Sequence, residues 1–162
     1  MEYRHVTERV VLHVGYACNL RCRFCYYIED LEKGQTKDWT TAQLKRRLRI
    51  ARRLGKTAVD FTGGEPSIRR DILELISYAR SIGYDNVDMI TNGLRLRDPE
   101  FCEQLVDAGL NDLLFSIHSP FEGEHDYLTR VKGSYSKIFQ AMENMQALGV
   151  RFRANSVVSN IN

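Results

Sequence analysis

Three of the four cysteines, Cys18, Cys22 and Cys25, fall in one short stretch, Cys18-Asn19-Leu20-Arg21-Cys22-Arg23-Phe24-Cys25, while Cys102 stands alone far downstream. Thiols gathered in this way in a chain expected in a reducing compartment point to metal binding rather than to a disulfide framework. Three thiolates on one loop suit a cubane iron–sulfur cluster with one iron left without a protein ligand. A structural zinc ion needs a fourth ligand to close its tetrahedron. That ligand would have to be Cys102 or His13. Cys102, beside Phe101 and Leu105 in a helical stretch, reads instead as a small buried hydrophobe. His13 falls inside an apolar strand and reads as an inward-facing, substrate-proximal residue rather than a ligand.

The elements that must position these thiols follow from the apolar periodicity. Short runs at Val10 to Val14, Ala58 to Thr62, Val87 to Thr91, Leu113 to Ile117 and Arg151 to Val158 have the length and composition of buried strands. Between them, Ile72, Leu75, Ile76 and Ala79 form a helical stripe, and Ile138, Ala141, Met142 and Met145 repeat it. Four predicted helices end at Gly55, Gly83, Gly109 and Gly149, each just before a strand. Asp98 followed by Pro99 marks the start of the third helix. Repeated strand–helix–glycine units predict parallel strands in an α/β sheet or barrel, whose functional loops follow the C-terminal strand ends. The cysteine stretch lies directly after the first strand. After the second strand comes Gly63-Gly64-Glu65-Pro66, where glycines without side chains let the backbone approach a ligand closely.

Together the Cys-x3-Cys-x2-Cys spacing, the aromatic Phe24 before the last cysteine, and Gly63-Gly64-Glu65-Pro66 resemble the radical S-adenosylmethionine (SAM) superfamily. The resemblance follows the strand order of nearly the whole chain and takes its specificity from these two motifs. It implies a partial parallel (β/α) barrel of TIM-like type, with about five strands and four helices. The last unit of a six-unit core is expected to be lacking, in a single domain over residues 1–162 that is truncated at its C-terminus. It implies a [4Fe–4S] cluster on Cys18, Cys22 and Cys25, and SAM chelating the open iron. The reduced cluster would then cleave SAM to methionine and a 5′-deoxyadenosyl radical that abstracts hydrogen from substrate. It also implies an external electron donor such as flavodoxin or ferredoxin. Gly63 and Gly64 would approach the methionine moiety, Glu65 and Pro66 would fix the turn, and Phe24 would belong to the same cofactor site.

Weaker candidates surround this site. Ser116 at the fourth strand end matches a polar position facing SAM in the family, and Arg130 resembles an arginine that reaches the methionine carboxylate in several members. Asn155 on the fifth strand and Asn92 in Thr91-Asn92-Gly93 would line the same mouth. Ser116 reads equally as a capping residue, Arg130 reads first as a solvated surface arginine and second as a ligand, and Asn92-Gly93 is primarily a turn signal. His118 and Asp60 are polar residues near strand ends facing the expected cavity.

The remaining composition bounds the function. The chain has 162 residues, of which 43% are hydrophobic and 27% charged, enough for one domain with a core of its own. A formal net charge of +2 argues against a surface built as a whole to grip nucleic acid. The one dense basic segment, residues 45–56, reads as the solvated face of an amphipathic helix, with RNA or a partner protein as alternative occupants. No apolar run is long enough to span a membrane, and the stretch Met1 to Arg9 carries no apolar segment of a secretory signal, so the expected location is the cytoplasm. The rival readings are a cluster-binding subunit or fragment without turnover of its own, an RNA-modifying radical SAM enzyme, and a zinc-binding structural module. The stretch Ser116 to Phe139 resembles members that act on peptides or tailor cofactors.

Overall fold

A computed structural model describes residues 8–29, 33–34 and 36–162. The stretch read for a secretory signal lies outside the described residues up to residue 7. Five parallel strands form one sheet in chain order: β1 (Arg9–His13), β2 (Ala58–Thr62), β3 (Asn86–Thr91), β4 (Asp112–Ser116) and β5 (Arg151–Asn155). Each lies within about a residue of its expected position except β5, which stops at Asn155 rather than running to Val158. Among the described residues the sheet is open, with β1 and β5 at its edges.

Five helices, not four, accompany these strands among the described residues: α1 (Thr41–Arg53), α2 (Ile72–Ser81), α3 (Pro99–Asp107), α4 (Glu122–Thr129) and α5 (Ser134–Ala147). Four of them run out at Gly55, Gly83, Gly109 and Gly149, all with positive φ. The fifth, α4, closes on Arg130 in the left-handed region at φ 59°. It is the one helix without a glycine at its end, which is why glycine punctuation does not find it. Asp98 caps α3 by accepting from the Glu100 N–H at 3.2 Å, with Pro99 following.

The strands alternate between two environments. Leu12, Val59, Phe61, Val87, Met89, Leu113 and Phe115 point to the helical layer and are buried against Leu44, Leu48, Leu75, Ile76, Leu105 and Ile138. The other face lines the interior of the half-barrel. The basic helix ends at Arg53, so Lys56 lies beyond it. It packs through Leu44, Leu48 and Ala51, and part of its charge is used internally. Lys45 pairs with Glu74 at 2.6 Å, Arg47 stacks on Trp39 at 3.8 Å, and Arg52 donates to the Gly83 carbonyl at 3.0 Å.

Candidate functional site

The cysteine loop leaves β1 and crosses the end of β2 at backbone contact distance. The Gly64 N–H donates to the Gly15 carbonyl at 2.8 Å and the Glu65 N–H to the Ala17 carbonyl at 2.8 Å. A Cβ at Gly63 would run into the Gly15 carbonyl oxygen, and one at Gly64 into those of Ala17 and Tyr16. Gly63 also sits at φ +144°. The absent side chains therefore admit the cysteine loop itself. The backbone of both glycines still borders the cavity described below.

Glu65 is buried, and its carboxylate ties this turn to the next strand end. Oε1 accepts from the Ser67 N–H at 3.0 Å and the Thr91 hydroxyl at 2.7 Å, and Oε2 accepts from the Asn92 N–H at 2.7 Å. Burial raises its pKa while these donors pull it back. Pro66 opens a short 3-10 turn, Pro66–Ile68, directly behind Glu65. Asn92 carries the link onward: its Nδ2 donates to the Asn19 side-chain oxygen at 2.8 Å and lies 3.8 Å from the Cys18 sulfur.

On its other flank the loop docks on the end of α4, where a helix leaves carbonyls unpaired. The Arg21 N–H donates to the Thr129 carbonyl at 3.2 Å, the Arg23 N–H to Leu128 at 2.8 Å, and the Arg23 side chain to Tyr127 at 3.0 Å. Arg23 also stacks on the Tyr127 ring at 3.9 Å. Phe24 meets His118 edge-on at 4.5 Å. His118 is buried, and its Nδ1 accepts from the Val157 N–H at 3.3 Å. Burial, with His125 stacked alongside at 5.7 Å, lowers its pKa to about 4 and keeps the ring neutral.

Cys18, Cys22, Cys25, Phe24, Gly63, Gly64, Glu65, Asn92, Ser116, His118 and Asn155 all border one cavity of about 330 Å³ at the C-terminal ends of the strands. Four expected participants lie elsewhere. Arg130 is exposed at the end of α4, and Pro66 sits behind the turn. His13 faces inward against Tyr16 and Tyr27, with ring centroids at 4.6 and 5.0 Å. Asp60 lies one layer below the cavity. Cys102 is fully buried on α3, its thiol donating to the Leu96 carbonyl at 2.9 Å, apart from the other three cysteines. The tyrosines at positions 16, 26 and 27, which also border the cavity, escape a reading based on cysteines and glycines.

The donor set fits a cubane better than a single ion. Among the described residues no three His, Cys, Asp or Glu side chains converge closely enough to hold one metal ion. Around one zinc, thiolates at Zn–S of about 2.3 Å must come within about 4 Å of each other. A cubane gives each thiolate its own iron and asks only that the three face one space, as Cys18, Cys22 and Cys25 do. Burial pushes the Cys22 thiol up to about 12, and Cys18 and Cys25 act in the same direction. A cationic metal centre reverses that preference.

The family model of the radical SAM superfamily matches residues 12–161. The chain belongs to that superfamily. Its members use a [4Fe–4S] cluster and SAM. The probable GTP 3′,8-cyclase of Saccharolobus solfataricus is 30% identical over 96% of this chain and 49% of its own length. That of Thermococcus kodakarensis is 38% identical over 72% and 36%. The chain thus spans about half the length, or less, of the curated relatives it matches. Among solved structures, SuiB of Streptococcus suis shares the fold with a TM-score of 0.77 at 20% identity, over 95% of this chain and 34% of that one. The structure of anSMEcpe with bound AdoMet and a Cp18Cys peptide gives 0.73 at 20%, over 93% and 43%. Among the described residues no helix is long and apolar enough to cross a membrane.

Below the cavity the inward face of the sheet is charged. The strand register aligns Val11, Asp60, Asp88, Asp112 and Arg151 in one row. Arg9 pairs with Asp60 and reaches Asp88 at 3.4 Å. Arg153 pairs with Asp88 at 2.5 Å and reaches Asp112 at 3.4 Å, while Arg151 pairs with Asp112 at 2.7 Å. Burial first, then the neighbouring Asp60 and Asp112, pushes the Asp88 carboxyl up to about 6, against the pull of Arg153 and Arg9.

Proposed function

We propose that the chain is the SAM-cleaving core of a radical enzyme, with Cys18, Cys22 and Cys25 holding the cluster and SAM lying along the cavity toward Ser116 and Asn155. The observation that carries this reading is the meeting of all three thiols, both glycines of the second motif and the strand-end polar residues around one space. A cluster held by these thiols would supply the electron for cleavage of SAM to a 5′-deoxyadenosyl radical, which would take hydrogen from the substrate. The protein's part is positioning. Glu65 and Asn92 fix the cysteine loop against β2 and β3, and Phe24 and His118 form an apolar, neutral wall beside it. Gly63 and Gly64 offer backbone groups at the cavity border.

The electron comes from an external low-potential donor such as flavodoxin or ferredoxin, in a reducing compartment that keeps the four cysteines out of disulfides. Residues 1–162 act as one core domain. The names of the relatives favour a second reading, a purine nucleoside triphosphate as substrate. Anaerobic reconstitution followed by SAM and a strong reductant tests the main reading. It expects 5′-deoxyadenosine together with about four irons per chain. A fully loaded protein that leaves SAM intact contradicts it.

A further inference from the structure

Asn92, directly after β3, has a side chain whose orientation its neighbours decide. It is 8% exposed, and its backbone N–H donates to Glu65 Oε2 at 2.7 Å. Its side-chain oxygen accepts from the Leu94 N–H at 3.1 Å. That contact fixes the amide, because the reversed orientation would set an NH2 group against an N–H. The NH2 group therefore faces the cysteine loop with two hydrogens to give. One goes to the Asn19 side-chain oxygen at 2.8 Å, which leaves the other for the Cys18 sulfur, 3.8 Å from Nδ2. The same sulfur also takes the Leu20 N–H at 3.4 Å. Among the described residues it is the one sulfur of the cysteine loop with a side-chain donor.

An N–H group beside a cluster sulfur acts on the electron count. A cubane held by thiolates gains one further negative charge when it is reduced, so donors to its sulfurs favour the reduced form and raise its potential. The buried setting of Asn92 strengthens the effect relative to water. Two of the contacts that hold the amide come from Glu65 and Leu94, which belong neither to the cysteine loop nor to a cofactor. The N–H is thus aimed in advance, and reduction demands no reorientation of it.

We propose that Asn92 is a positioning residue for electron transfer: its side-chain N–H on Cys18 raises the reduction potential of the cluster and so sets how strong an external donor must be. This rests on the reading of Cys18, Cys22 and Cys25 as the ligands of the cluster, and it goes beyond the anchoring of the loop by the same residue.

Redox titration of the reconstituted protein without SAM, followed by electron paramagnetic resonance and compared at equal iron content, tests it. Asn92→Ala removes the donor and is expected to lower the equilibrium constant for reduction about threefold or more. Asn92→Asp keeps an acceptor for Leu94 but puts a carboxylate beside the sulfur, and is expected to lower it about tenfold or more, a midpoint about 59 mV more negative. An unchanged midpoint in Asn92→Ala overturns the proposal whatever the aspartate does, because a residue that only anchors the loop alters loading and not potential. Native protein isotopically labelled at the asparagine side-chain nitrogens keeps the test open if the variants lose iron. Its reduced form is expected to show a hyperfine coupling to the labelled nitrogen in electron spin echo spectra, and the absence of that coupling overturns the proposal. Native protein that loads no cluster contradicts the cofactor reading and the proposal with it, whereas a loaded native cluster whose potential Asn92→Ala leaves in place contradicts the proposal alone.

Discussion

The Glu65 carboxylate accepts the Asn92 backbone N–H at 2.7 Å, so the turn after β2 and the end of β3 form one unit beneath the cysteine loop. Glu65 is 3% exposed and takes two further donors, from Ser67 and Thr91. A glutamine there has one oxygen for two positions that both need an acceptor. Its NH2 group would face either the Asn92 N–H or the Ser67 and Thr91 donors. Glu65→Gln is therefore expected to lose about 1–3 kcal/mol of stability, the cost of leaving a buried donor unmet. Urea unfolding measures this, and an unchanged midpoint would show that the staple is not stabilising.

At Gly64 the obstacle to a side chain is backbone, not a movable rotamer. The carbonyl oxygens of Ala17 and Tyr16 occupy the place of its Cβ. Gly64→Ala should cost about 1–3 kcal/mol through overpacking and should displace the cysteine loop. Iron content after reconstitution is expected to fall with it. An alanine variant that loads iron normally would mean that the loop contact is not what the glycine serves.

The cysteines divide three against one. Cys22→Ala should abolish cluster loading, whereas Cys102→Ala should retain it at a stability cost of about 1 kcal/mol for a small buried cavity. Iron and sulfide assays with an unfolding curve separate the two effects. Loss of iron in the Cys102 variant would remove the assignment of that residue to the core of α3.

Asp88 gives the interior wall a pH signature. Its carboxyl is raised from 3.8 to about 6, so its contribution to stability is present below 3.8 and is lost as pH rises through about 6. Asparagine does not titrate. Relative to the native protein, Asp88→Asn should gain up to about 3 kcal/mol between pH 4 and pH 7.5, whatever fixed cost it carries from Arg9 and Arg153. Denaturant midpoints for both proteins at the two pH values show the difference. A constant offset would place the carboxyl at its ordinary value.

Much of this site was legible in the sequence because its signals are local. Cysteine spacing, a Gly-Gly turn after a strand and glycine-ended helices need no knowledge of distant contacts. What stayed hidden was set at longer range. The helix at Glu122–Thr129 has Gly123 in its first turn and a left-handed arginine, not a glycine, at its end. Its last carbonyls are paired by the cysteine loop rather than by a local cap. The role of Gly64 depends on which segment crosses it, and here that is Tyr16 and Ala17 of the cysteine loop. Of the aspartate row the sequence reading singles out Asp60 alone, because only the strand register shows Asp60, Asp88 and Asp112 meeting on one face.

The most direct test of the account is electron paramagnetic resonance of the reduced, reconstituted protein with and without SAM. Chelation of an open iron by SAM predicts a cluster signal that shifts when SAM is added, in a protein that binds it through Cys18, Cys22 and Cys25. A signal that is identical with and without saturating SAM would contradict the central claim that these three thiols leave one iron free for the cofactor.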